Sequence, residues 1–88
     1  MKIKDGFILR KVSDAYVVIA TGEAAASFNG MISLNETGAL LWEKLEKGCD
    51  GKNELVDALL AEYDVAQELA SKDVDAFVAK VEAAGILV

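Results

Sequence analysis

The chain has 88 residues, of which 53% are hydrophobic, and these values predict a single folded domain over residues 1–88. One cysteine excludes an internal disulfide, and no apolar run reaches the roughly 18 residues that a membrane-spanning helix needs. The first residues carry charge but lack the apolar core of a secretory signal, so we expect a cytoplasmic protein of bacterial type.

The net charge of −6 is distributed unevenly. Residues 1–12 contain four basic side chains and one acidic side chain, whereas residues 13–88 contain five basic and fourteen acidic side chains. Affinity for nucleic acid depends on Lys and Arg side chains that neutralise phosphates, so the acidic part disfavours nucleic-acid binding. The same charge would attract a basic peptide or protein, although it is also typical of a solvated face that keeps a protein soluble.

The first part of the chain predicts an antiparallel β-hairpin. Residues 7–12 and 15–20 are rich in β-branched and aromatic side chains, and the turn signal Ser13-Asp14 separates them. The loop that follows ends in Asn29-Gly30, a pair that favours the positive φ of a tight turn.

A third strand is predicted from Met31 to Leu34. Side chains alternate along a strand, so Ile32 and Leu34 share one face, and Met31 and Ser33 share the other.

The hydrophobic period then changes to that of a helix. Asn35 can cap this helix by accepting a hydrogen bond from a free N–H in its first turn. Gly38 costs about 1 kcal/mol relative to Ala inside a helix, which suggests either that another group packs closely against it or that the helix tolerates the glycine. The helix is predicted to end at the break at 48–51. Its apolar stripe consists of Leu34, Gly38, Leu41, Trp42 and Leu45.

Two further helices are predicted. The second covers residues 52–63, and its apolar face comprises Leu55, Val56, Leu59, Leu60 and Tyr63. Asp64 is the expected cap of the third, with Gln67 in a capping-box-like position, and this helix runs for about 30 Å to Ala84. Its stripe is Val74, Phe77, Val78 and Val81, and Gly85 is a natural residue to end it.

The apolar residues 86–88 are expected to fold back on the core. Strands that precede helices in the order β-β-β-α-α-α predict an α+β domain, in which a three-stranded antiparallel sheet packs against a small helical bundle.

Catalytic chemistry is not indicated. Cys49 lies in a predicted turn, and the chain has no histidine to activate it or to join it in a metal site. No glycine pattern matches a phosphate loop, so we expect no catalytic residue, no metal and no cofactor. Trp42 and Phe77 are expected in the core, with a groove beside the sheet as the alternative for Phe77. The remaining candidate site is the edge of the third strand, to which a peptide could add as a further strand.

The order of motifs resembles the PqqD family, whose members are also called RiPP recognition elements. The matching features cover nearly the whole chain. They are Leu9-Arg10, Phe28-Asn29-Gly30, Ile32-x-Leu34-Asn35-x-Thr37-Gly38, Leu41-Trp42, Gly48, Glu54-Leu55, Leu59-Leu60-x-x-Tyr63-x-Val65, Asp73-Val74-x-x-Phe77-Val78 and Gly85-Ile86-Leu87.

The resemblance implies a winged helix-turn-helix-like fold and a non-catalytic peptide chaperone. Such proteins bind the leader of a ribosomally synthesised precursor peptide and present it to a modifying enzyme, often a radical SAM enzyme. The leader adds beside the third strand, in the groove against the third helix. Carried over to this chain, the peptide-binding residues are Met31, Ile32, Ser33, Leu34, Asp73, Val74, Ala76, Phe77 and Lys80.

Members that serve pyrroloquinoline quinone biosynthesis tend to carry a Tyr-Pro-Glu-Gly-like segment before the third strand and an Asp-Gly after the first helix. This chain has no proline, and Lys47 precedes Gly48. A recognition protein for another modified peptide therefore fits better than a PqqD of the quinone pathway. A DNA-binding winged helix and a homodimer formed through the free sheet edge are the other hypotheses.

Overall fold

The computed structural model describes residues 1–22, 25 and 32–87. The β-hairpin is as predicted: β1 spans Phe7–Val12 and β2 spans Ala15–Ala20, in antiparallel register from Phe7 opposite Ala20 to Val12 opposite Ala15. Strand β3, Ile32–Leu34, pairs antiparallel with β2, so the strand order is β1-β2-β3. The predicted Asn29-Gly30 turn and Met31 lie outside the described residues.

Three helices follow the sheet, which confirms the α+β fold. Helix α1 spans Glu36–Lys47, α2 spans Lys52–Glu62, and α3 spans Gln67–Ala83. Helix α1 packs against β2, β3 and the other two helices, and α2 packs against α3. This central position explains why Trp42 on α1 is completely buried, as predicted from the apolar stripe.

The alternation of β3 is confirmed for its three described residues, because Ile32 and Leu34 are buried and Ser33 is exposed. Gly85 has a φ of +75° and follows the end of α3, which agrees with its predicted role. The chain then returns to the core as predicted for residues 86 and 87: Ile86 is completely buried, and Leu87 forms an isolated β-bridge with Ile3. Val88 lies outside the described residues.

The start of α3 differs from the prediction. The residue at the N-cap position is Ala66, which has no side-chain oxygen, and the helix begins at Gln67, so Asp64 does not cap it. Val65 packs against the core, and Tyr63 and Ala66 are extended. Packing of the half-buried Val65 against the core thus outweighs the local capping signal. The helix has 17 residues and is about 26 Å long, shorter than predicted.

Leu60 is a second difference. It was predicted on the buried face of α2, but 36% of its surface is exposed, whereas Leu55 and Leu59 are buried. At 3.6 residues per turn, Leu60 lies about 140° around the helix from Leu55, at the margin of the buried face.

Candidate functional site

The free edge of β3 is the first component of the candidate site. Within the described residues β3 is an end strand of the sheet, with β2 on one side only. Ser33 lies opposite Val17, between the pairs Ile32–Val18 and Leu34–Tyr16. Facing residues of an antiparallel pair alternate between exchanging both backbone hydrogen bonds and directing these groups away from each other.

Lys80 identifies which of these two arrangements Ser33 has. Its ammonium donates a hydrogen bond of 3.0 Å to the carbonyl oxygen of Ser33. Lys80 belongs to α3, which is not a neighbour of β3 in the sheet, so the Ser33 carbonyl points away from β2. Its N–H then points in the same direction, and Ser33 presents one donor and one acceptor at the free edge.

A groove of about 280 Å³ lies beside this edge. It is bounded by β3, by the first turns of α1 and by α3. Its floor is apolar, because Leu41 and Phe77 are buried at its base. Ten residues line it: Ser33, Leu34, Asn35, Thr37, Gly38, Leu41, Asp73, Ala76, Phe77 and Lys80.

One face of α3 forms the far wall of the groove. Asp73, Ala76, Phe77 and Lys80 follow each other at intervals of three, one and three residues, so they share one side of the helix. The wall has an acidic residue at one end and a basic residue at the other, and the rise between these two positions along the helix axis is about 10 Å. Between them lie the exposed Ala76 and the buried Phe77.

The near end of the groove is formed by the start of α1. The Asn35 side-chain oxygen accepts hydrogen bonds from the Gly38 N–H and from the Thr37 hydroxyl, both at 2.8 Å, which confirms the predicted cap. A Cβ at Gly38 would lie 3.2 Å from Leu34 Cβ and from Asn35 Oδ1. The close packing that the sequence suggested for Gly38 is thus a contact with the end of β3.

The structure brings most of the predicted peptide-binding residues together. Ser33, Leu34, Asp73, Ala76, Phe77 and Lys80 all line the groove. Ile32 and Val74 are buried in the core behind it and can support the groove but do not line it. Met31 lies outside the described residues.

Four lining residues on or beside α1 are additional to the predicted set: Asn35, Thr37, Gly38 and Leu41. Asn35, Gly38 and Leu41 each have a local sequence signal, as a helix cap, a glycine inside a helix and a core leucine. Their shared position beside α3 depends on how the helices pack, and the spacing along the chain carries no signal for it.

The remaining reactive side chain, Cys49, lies away from this groove. Burial raises the pKa of its thiol above the usual value, against the opposing effect of the N-terminal ammonium, and the carboxylates of Glu54 and Asp50 act in the same direction as burial. Among residues 1–22, 25 and 32–87, no cluster of three His, Cys, Asp or Glu side chains could hold a metal ion. In the same part of the chain, no helix combines the length and hydrophobicity required to cross a bilayer.

Comparison with known proteins identifies one family and two similar solved structures. The family model described as "Coenzyme PQQ synthesis protein D (PqqD)" matches residues 15–87. The solved structure "TbiB1 in Complex with the TbiA(beta) Leader Peptide" superposes with a TM-score of 0.74 at 26% identity, over 99% of this chain and 94% of that one. "Lasso peptide synthetase B1 complexed with the leader peptide" superposes with a TM-score of 0.71 at 20% identity, over 97% and 93%. Curated protein sequences contain no significant match.

Proposed function

The chain belongs to the PqqD family, and we propose that it is a non-catalytic peptide chaperone. In this proposal it binds the leader of a ribosomally synthesised precursor peptide and presents it to a modifying enzyme, such as a radical SAM enzyme. The free edge of β3 beside a groove against α3 carries the proposal. TbiB1, which has the same fold at 26% identity, was solved with a leader peptide.

The backbone of β3 supplies the first part of the interaction. An added strand obtains its affinity from main-chain hydrogen bonds, and Ser33 offers both an N–H and a carbonyl group at the edge. Since Ile32 and Leu34 direct their backbone groups toward β2, Ser33 is the described residue of β3 that can form these bonds.

The groove supplies selectivity for the side chains of the peptide. Alternate side chains of an added strand point toward the helices, where the apolar floor of Leu34, Leu41 and Phe77 suits an apolar side chain. Asp73 and Lys80 at the two ends of the wall favour a basic and an acidic neighbour, respectively. A leader segment with one apolar residue between residues of opposite charge is the complement of this groove.

The described residues give no support for catalysis. A cysteine nucleophile needs a base or a lowered pKa, whereas the pKa of Cys49 is raised and the chain contains no histidine. We propose that the chemistry belongs to the partner enzyme.

The nature of the peptide is also part of the proposal. The absence of proline and the Lys47-Gly48 sequence differ from the pattern of the quinone pathway, so we favour a different modified peptide. No observation favours DNA binding, because most of the chain is strongly acidic and would repel phosphates.

Titration of the ¹⁵N-labelled protein with the precursor peptide encoded beside its gene tests the proposal. The amide signals of Ile32–Leu34 and of α3 should shift. In a second titration, Ala76→Gln fills the groove with a neutral side chain and should weaken binding about tenfold or more. Ala79→Gln is the matched control, since it makes the same change at another exposed position of α3 and should bind as the wild type does.

Absence of any shift with excess peptide would refute peptide binding. Equal weakening by the two glutamine variants would place the peptide elsewhere than in the groove.

A further inference from the structure

The sheet has a second face, which looks away from the helices. Side chains of facing residues share a face, so the register places Ile8 with Ile19, Arg10 with Val17, and Val12 with Ala15. Ser33 faces Val17 and joins the same side. We call this set of seven residues the outer face: Ile8, Arg10, Val12, Ala15, Val17, Ile19 and Ser33.

The outer face is mainly apolar. Val12 is 56% exposed and Ile8 is 37% exposed, while Val17 and Ile19 are half-buried. The core cluster lies on the opposite side, where Val18, Ile32 and Leu34 pack with the helices. An exposed apolar patch with polar side chains beside it is a candidate interaction surface.

The charge of the outer face restricts its partner. Arg10 stands opposite Val17 among apolar side chains, and none of the seven residues carries a carboxylate. Within the described residues Arg10 forms no salt bridge, in contrast to Lys52, which pairs with Asp75 at 3.2 Å. A partner with a carboxylate inside an apolar surface would complement this arrangement.

The size of the outer face argues against a stable dimer. The strands lie about 4.8 Å apart, and β1 and β2 are each about 20 Å long while β3 is about 10 Å long, which gives a footprint on the order of 200–300 Å². Stable interfaces bury about 800 Å² on each partner, so this face alone supports a transient encounter.

The outer face is continuous with the proposed peptide site. Every second side chain of a strand added to β3 would lie beside Ser33 and enlarge the outer face, while the others would enter the groove on the helical side. A protein on the outer face would leave the groove open and contact the bound leader at the same time.

We propose that the outer face docks the peptide-modifying enzyme, through an apolar surface of that enzyme with a carboxylate opposite Arg10. This inference rests on the proposed function, since it concerns the protein to which the peptide is delivered. It explains how one small domain can hold the leader and the enzyme together, with the leader at the edge of β3 and in the groove, and the enzyme on the other side of the sheet.

The test measures affinity for the peptide-modifying enzyme encoded beside this chain's gene. Arg10→Glu and Val12→Asp should each weaken enzyme binding about tenfold or more. The new carboxylate at position 10 would face the carboxylate of the enzyme, and the one at position 12 would face its apolar surface. Lys44→Glu and Leu69→Asp are matched controls at exposed positions on α1 and α3, and should leave it unchanged.

Affinity for the precursor peptide is measured with the same variants. Peptide binding that stays normal in Arg10→Glu and Val12→Asp, together with weakened enzyme binding, supports the proposal. Unchanged enzyme binding by both variants overturns it, even where peptide binding is intact. Sedimentation that shows a wild-type dimer abolished by Val12→Asp also overturns it, because a second copy then occupies the outer face. If the wild type binds no peptide at all, the proposed function itself fails.

Discussion

Lys80 on α3 donates a 3.0 Å hydrogen bond to the main-chain carbonyl of Ser33 on β3, across the groove that separates these elements. A lysine at a sheet edge is one way in which proteins discourage unwanted strand pairing. In the free protein this lysine occupies the acceptor that an added strand would use. A peptide must share that carbonyl with Lys80 or displace its ammonium.

Ser33→Pro tests the outward direction of the Ser33 N–H. Proline removes this donor and is tolerated where the N–H of an edge strand faces away from the sheet, so the variant should fold. We expect peptide affinity to fall about tenfold, which corresponds to the loss of roughly one backbone hydrogen bond. The measurement is a peptide titration by calorimetry. Ser33→Ala keeps the N–H and should bind as the wild type does; wild-type affinity in the proline variant would mean that another edge is used.

Hydrogen exchange tests the same register without a mutation. In the free protein the amide of Ser33 should exchange much faster than those of Ile32 and Leu34, which face β2. Saturation with the precursor peptide should protect Ser33 selectively, because the added strand then accepts its hydrogen bond. Slow exchange of Ser33 in the free protein would contradict the assigned register, and unchanged exchange in the complex would contradict strand addition at this residue.

Asn35→Ala removes the cap of α1. The lost hydrogen bond to the Gly38 N–H should lower the free energy of unfolding by about 1 kcal/mol and Tm by about 4–8 °C. Thermal unfolding followed by circular dichroism measures the change. Asn53→Ala is the matched control, since Asn53 is exposed on α2 and should change stability by less than about 0.5 kcal/mol. If the two substitutions changed stability equally, the Asn35 cap would contribute no more to stability than an exposed asparagine on α2.

Cys49 should behave as an unactivated thiol. Burial, assisted by nearby carboxylates, raises its pKa, so the reactive thiolate is scarcer at neutral pH than in an exposed cysteine. Alkylation by iodoacetamide at pH 7 should be slower than for a cysteine in a short peptide, and the rate should continue to rise with pH above the usual thiol pKa. In denaturant, the alkylation rate of Cys49 should rise to that of the cysteine in the short peptide. Rapid alkylation of the folded protein at pH 7 would indicate an activated nucleophile and would argue against a purely non-catalytic role.

The helices show where prediction from local sequence signals succeeds and where it fails. Asn35 signals the start of α1 correctly, because its cap depends on atoms within four residues of the chain. Asp64 offers a similar local signal for α3, but Val65 packs against the core and the chain stays extended until Ala66. Burial of a side chain just before a helix depends on tertiary packing, and this packing determined where α3 begins.

The candidate site shows the same division. Its α3 wall could be listed from the family resemblance, and the helical spacing of Asp73, Ala76, Phe77 and Lys80 puts these residues on one side of the helix. The contributions of Thr37, Gly38 and Leu41 depend on the position of α1 relative to α3. Val74 belongs to the same family motif, yet it is completely buried and forms core instead of wall.

The sequence by itself determined the order of strands and helices, the cap at Asn35 and the alternation of Ile32, Ser33 and Leu34, because each depends on the backbone period or on neighbouring atoms. Tertiary structure decided which side of β3 is open, that Lys80 reaches the Ser33 carbonyl, and that the apolar outer face lies opposite the groove. These relationships join residues up to 47 positions apart, and only the packing of α1 and α3 against the sheet brings them together.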